Sequence, residues 1–108
     1  MPTYLHQWRY KPELVKPMLT ESVDREQEVR TVAEGFGGSL KEFYFCLGDY
    51  DGVAIIEYPD DEAALASLMV HYTLGRVVTI HSTRLIDSEG IRNAKKLACE
   101  KLGFSDEG

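Results

Sequence analysis

Apolar and polar positions alternate along the start of the chain, with Tyr4, His6, Trp8 and Tyr10 on one side and Leu5, Gln7 and Arg9 on the other. A period of two predicts a strand over 3–10, ended by Lys11-Pro12 because proline donates no ladder hydrogen bond. Residues 12–17, bounded by two prolines, read as a loop. The period then lengthens. Val23, Val29, Val32, Ala33 and Phe36 include the spacings of one helical stripe, which predicts a helix from about Thr20 to Phe36. Gly37-Gly38 stops it, since glycine takes the left-handed cap geometry without strain. Two strands are predicted next, Leu40 to Leu47 and Val53 to Tyr58. Between them Gly48-Asp49-Tyr50-Asp51-Gly52 has the composition of a hairpin turn.

Pro59 ends the second of these strands, and Asp60 with Glu62 opens a helix over about 61–74. Its stripe reads as Leu65, Leu68, Met69 and Tyr72. Arg76 to Ile86, rich in Val, Thr and Ile, predicts a fourth strand. Ser88 reads as the cap of a last helix running to about Leu102, with Ile91, Ala94, Leu97 or Ala98, and Leu102 as its stripe and Gly103 past its end. The order βαββαβ, with right-handed crossovers, interleaves into an antiparallel sheet of order 4-1-3-2 with both long helices on one face. The fold class is α+β, ferredoxin-like, in a single domain over 1–108 with a core at 3–86 and a terminal helix at 88–102.

The hairpin carries a signature. Lys41-Glu42-Phe43-Tyr44, Gly48-x-Tyr50-Asp51, Val53-Ala54-Ile55-Ile56-Glu57 and Pro59-Asp60-Asp61-Glu62-Ala63 together closely resemble the GYD-domain family. The resemblance runs over about residues 3–85. It implies membership of the ferredoxin-like dimeric α+β barrels, whose members include oxygenases, isomerases and cyclase-like proteins acting in a pocket between sheet and helices. Beside that family's pattern, His6 and His81 are departures. A GYD family role is itself largely unassigned, and one fold hosts many chemistries.

Two helices cover one sheet face only. The other face would leave a large apolar patch in water, so a second sheet packed on it is expected. The expected partner is a second copy of the chain, which does this with one self-complementary surface. Cover by the terminal helix is the alternative.

Charge and composition narrow the classes further. The 108 residues hold 18 acidic against 12 basic side chains, a net charge of −6, and no basic cluster exceeds Lys95-Lys96. Binding to nucleic acid or to anionic membranes is disfavoured. Neither a bilayer-spanning run nor a leader is read, so the expectation is a cytoplasmic protein. Cys46 and Cys99 read as free thiols.

The candidate chemistry is sparse. His6 and His81 fall on strands that neighbour each other in the 4-1-3-2 order, and a shared pocket would suit acid/base work. They are the candidate catalytic pair; the alternative is two hydrogen-bonded histidines at a dimer interface. Trp8, Tyr44, Asp49, Tyr50 and Asp51 are the candidate ligand-binding residues, and the aromatic strands suit a small flat organic ligand. Turn structure also accounts for Asp49, Tyr50 and Asp51, and sheet packing for the aromatics. His71, a step off the helical stripe, reads as a surface residue. No spacing points to a metal site. Gly35-Phe36-Gly37-Gly38 follows a helix, the wrong order for a dinucleotide loop, so no cofactor is expected. Two functions stand: a cofactor-independent small-molecule enzyme, or a non-catalytic module binding a metabolite or a protein.

Overall fold

The computed structural model describes residues 1–21 and 24–103. Strand β1 (Thr3–Tyr10) leads into a 3-10 turn (Pro12–Leu14) and a short helix α1 (Val15–Thr20). Helix α2 (Arg25–Gly35), strands β2 (Ser39–Phe45) and β3 (Gly52–Glu57), helix α3 (Asp61–Thr73), strand β4 (Val77–Leu85) and helix α4 (Ser88–Leu102) follow. The strands form one antiparallel sheet in the order β2-β3-β1-β4, the expected order counted from the other edge.

The segment before α2 differs from expectation. Residues 12–17 are helical in part, and the long helix starts at Arg25 rather than near Thr20. Asp24 sets that start: its side chain accepts from the Gln27 amide and ends the run of unsatisfied N–H groups. The stripe position assigned to Val23 lies outside the described residues. Asp60 caps α3 in the same way through Ala63, and Asp87 rather than Ser88 caps α4 through Gly90.

Alternation in β1 sends Tyr4, His6 and Trp8 inward against the helices. They meet Ala54 and Ile56 of β3, Tyr58 and Val77. These are large rings, so the helices can approach only through small residues. Ala33 of α2 and Ala64 and Ser67 of α3 do so, each nearly or fully buried. Ser67 donates to the Ala64 carbonyl at 2.8 Å and shares a hydrogen bond with the Tyr58 hydroxyl at 2.7 Å. The stripe read as Leu65, Leu68, Met69 and Tyr72 is therefore corrected. Leu65, Met69 and Tyr72 are exposed, and the inward face of α3 is Ala64, Ser67, Leu68 and His71.

Gly52 shows how tightly the rings are fitted, because a Cβ there would run into the Trp8 indole. At the β4 edge the Ile80 amide donates to the Tyr72 hydroxyl at 2.8 Å. At the β2 edge a bulge sits between Leu40 and Glu42, and Lys41 pairs with Glu57 at 3.4 Å.

The sheet face away from the helices carries Leu5, Gln7, Tyr44, Val53, Ile55, His81, Thr83 and Leu85 by register. Helix α4 does not cover it. Among the described residues α4 makes at most marginal contact with the other elements, and the molecule extends 60 × 29 × 19 Å. Its radius of gyration is 17.5 Å, against about 13 Å for a compact chain of this length. Ile91, Leu97 and Leu102 on α4 are exposed.

Candidate functional site

Inside the sheet, β1 meets α2 and α3 imperfectly. The resulting cavity is about 30 Å³ and is lined by His6, Trp8 and Tyr10 from β1, Arg25, Glu28 and Val29 from α2, His71 from α3, and Arg76, Val77 and Ile80 around β4. His6 is 3% exposed, and its Nε2 has no hydrogen-bond partner among the described residues. Its ring stacks on Tyr58 with centroids 6.0 Å apart. Burial, and secondarily the charge on His71, push its pKa down to about 4. At neutral pH the ring is therefore an uncharged base. His71 is also pushed down, first by burial and then by the nearby Arg76, against a smaller opposing pull from Glu28.

Arg25 is the second unusual group. It is 7% exposed, and its Nε has no partner among the described residues. Its Nη1 donates to both carboxylate oxygens of Glu28, at 3.2 and 3.0 Å, and its guanidinium lies 5.7 Å over the Tyr10 ring. Arg76 Nε stands 3.8 Å from the same Glu28 carboxylate. Burial raises the Tyr10 phenol, so it stays protonated.

The histidine pair expected from sequence does not meet. Register places His6 opposite Ser82 and Gln7 opposite His81, so His6 faces the helices and His81 faces the open side. A one-residue offset on a pleated strand reverses the face. His81 instead joins Tyr50, whose hydroxyl lies 3.1 Å from Nδ1. Tyr44 is on the open face too and donates to Glu42 at 2.7 Å. Asp51 works as a stitch: its carboxylate accepts from the Tyr10 amide at 2.8 Å, and its own amide donates to the Trp8 carbonyl at 2.8 Å. Asp49 is exposed in the turn. Of the seven residues proposed from sequence, only His6 and Trp8 line the cavity.

The lining groups missed from sequence are His71, Arg25, Glu28, Arg76 and Tyr10. A signal for two of them was present. Arg25 sits four residues before Val29 and eight before Ala33, a charged side chain in line with an apolar stripe. His71 follows Ala64 by seven and Ser67 by four, on a face of small residues. Among the described residues no three His, Cys, Asp or Glu side chains gather in a metal-binding cluster.

A four-stranded antiparallel sheet of order β2-β3-β1-β4 with two helices on one face defines a ferredoxin-like α+β domain. The GYD-domain profile matches residues 4–94, and the chain belongs to the GYD-domain family. Among solved structures the chain is similar to MtbAldR, with a TM-score of 0.55 at 12% identity. That match covers 81% of this chain and 53% of MtbAldR, so the chain spans about half the length of that protein, and the likeness concerns the fold alone. No curated protein matches the sequence. Among the described residues no helix is long and apolar enough to cross a membrane.

Proposed function

We propose that this chain binds a small organic molecule in the cavity between the sheet and helices α2 and α3, with His6 as its central polar contact. The observation that carries this reading is the orphaned Nε2 of a histidine that is almost wholly buried. Buried polar atoms without a partner are costly, and a ligand that hydrogen-bonds this nitrogen relieves the cost. Trp8, Val29, Val77 and Ile80 supply apolar walls, as small-molecule pockets do. The alternative from sequence, a cofactor-independent enzyme, draws on one further fact. A neutral imidazole is a free base at pH 7, able to take a proton from a bound substrate.

Trp8 is the only tryptophan and lines the cavity, so its fluorescence reports on the site. Titration with the low-molecular-mass fraction of a host-cell extract is expected to change Trp8 emission saturably. His6→Leu is expected to abolish the change while circular dichroism stays native. Emission unmoved by the extract would remove the reading.

The working unit of this reading is a homodimer joined through the open sheet face. Leu5, Val53, Ile55 and Leu85 give that face an apolar centre. Charge supports a second copy as the occupant. Helix α4 carries Arg92, Lys95, Lys96 and Lys101 against Glu89 and Glu100, whereas residues 1–87 carry 14 acidic and eight basic side chains. A basic helix that leaves its own acidic body suits the body of its twin.

A further inference from the structure

We infer that the cavity is selective for a small monocarboxylate: Arg25 and Arg76 take the carboxylate and the apolar wall takes a short carbon tail. This rests on the reading of the cavity as a ligand site and names the ligand class.

The charge balance of the lining is the first argument. Two guanidinium groups, Arg25 and Arg76, face one carboxylate, Glu28, and the two histidines add no negative charge. The next acids on the adjoining segments, Asp24 before α2 and Asp51 in the β2–β3 turn, are exposed and lie outside the lining. One positive charge is thus left over beside a nearly buried arginine. Among the described residues the buried Arg25 is paired with Glu28, so the surplus charge rests on half-buried Arg76, and an anion entering the cavity balances it.

Donor geometry is the second argument. Arg25 spends Nη1 on Glu28 and, among the described residues, leaves Nε without a partner. A guanidinium edge suits a planar carboxylate, which accepts parallel N–H bonds. His6, in its Nε2–H tautomer, supplies a further donor from the sheet side.

Size is the third. A space of about 30 Å³ has room for roughly two or three water-sized centres. A carboxylate with a tail of one or two carbons fills it, and Trp8, Val29, Val77 and Ile80 are the surface such a tail meets. A tetrahedral phosphate would place a second charge and no apolar group against those walls.

The test uses the full chain and three probes: propionate, its neutral isostere propionamide, and inorganic phosphate. Trp8 emission and the ¹⁵N shifts of Arg25 Nε and His6 Nε2 are followed together. Propionate is expected to saturate all three signals, with propionamide and phosphate at least tenfold weaker. Arg76→Gln, a substitution at a half-buried site, is expected to weaken propionate at least tenfold. Arg84→Gln, outside the cavity, is expected to leave binding unchanged. Propionamide binding as tightly as propionate would overturn the anion inference while the cavity stands as a ligand site. Tighter phosphate binding would overturn the choice of carboxylate. No response to any probe would overturn this inference, and the host-extract titration then decides the cavity reading separately.

Discussion

A histidine enclosed by Tyr58, Trp8 and two helices loses its proton far more readily than one in water, and that has a measurable cost to the fold. The pKa of His6 falls from the ordinary 6.5 to about 4 on folding. Between those values the unfolded chain binds the proton and the folded chain does not. Stability therefore decreases as pH falls through 6.5 and reaches its full loss below about pH 4, on the order of 3 kcal/mol for this one group. His71, shifted the same way, adds to the slope. In urea melts at pH 7 and pH 4.5, His6→Leu is expected to lose markedly less stability than the parent chain. Parallel losses would show that His6 titrates freely in the fold. Of this residue's role the sequence discloses half. Alternation assigned His6 to the same face as Trp8. Its partner was misassigned because strand adjacency says nothing of register, and register decides which residue of Val77 to Leu85 stands opposite it.

Among the elements, α3 shows where apolar pattern and packing part company. Leu65, Met69 and Tyr72 have helical spacing, yet the face that seats on the sheet is lined by Ala64 and Ser67. The cause lies on the other layer. Tyr4, Trp8 and Tyr58 fill the interlayer space from below, so a helix with large inward side chains would not fit. Pattern on the helix alone cannot reveal that, whereas element order, the Asp60 cap and the β2–β3 turn were legible from local chemistry. The energetics should follow packing. Ser67→Leu is expected to cost about 1–3 kcal/mol through overpacking and the lost hydroxyl contacts. Leu65→Ala and Met69→Ala should each cost under about 0.5 kcal/mol, as exposed positions do. Thermal melts of the three variants check this, and a reversed ranking would restore the stripe read from sequence.

For the whole molecule, the open face and the outlying α4 make one argument. A domain whose last helix leaves the body exposes Ile91, Leu97 and Leu102 and leaves the apolar centre of the sheet, Leu5, Val53, Ile55 and Leu85, only half-buried. Sedimentation equilibrium is expected to give twice the chain mass at neutral pH and moderate salt. Ile55→Asp, on the sheet, and Leu97→Asp, on α4, are each expected to shift it to the monomer with unchanged circular dichroism. A parent chain that sediments as a monomer would refute the dimer. A dimer indifferent to Ile55→Asp would move the interface away from the sheet face.

The two capped margins of the sheet carry a consequence for how copies of this chain can accumulate. Tyr72 occupies an amide on one margin, and the Lys41 bulge interrupts the other. Strand addition from a neighbour needs an uninterrupted ladder, so both features disfavour growth sideways into a ribbon. In the proposed dimer the contact lies on the flat of the sheet, where a twofold pair closes on itself. The same side chains that finish the monomer thus disfavour open-ended growth, and removing the Tyr72 hydroxyl is expected to free the Ile80 amide at the β4 margin.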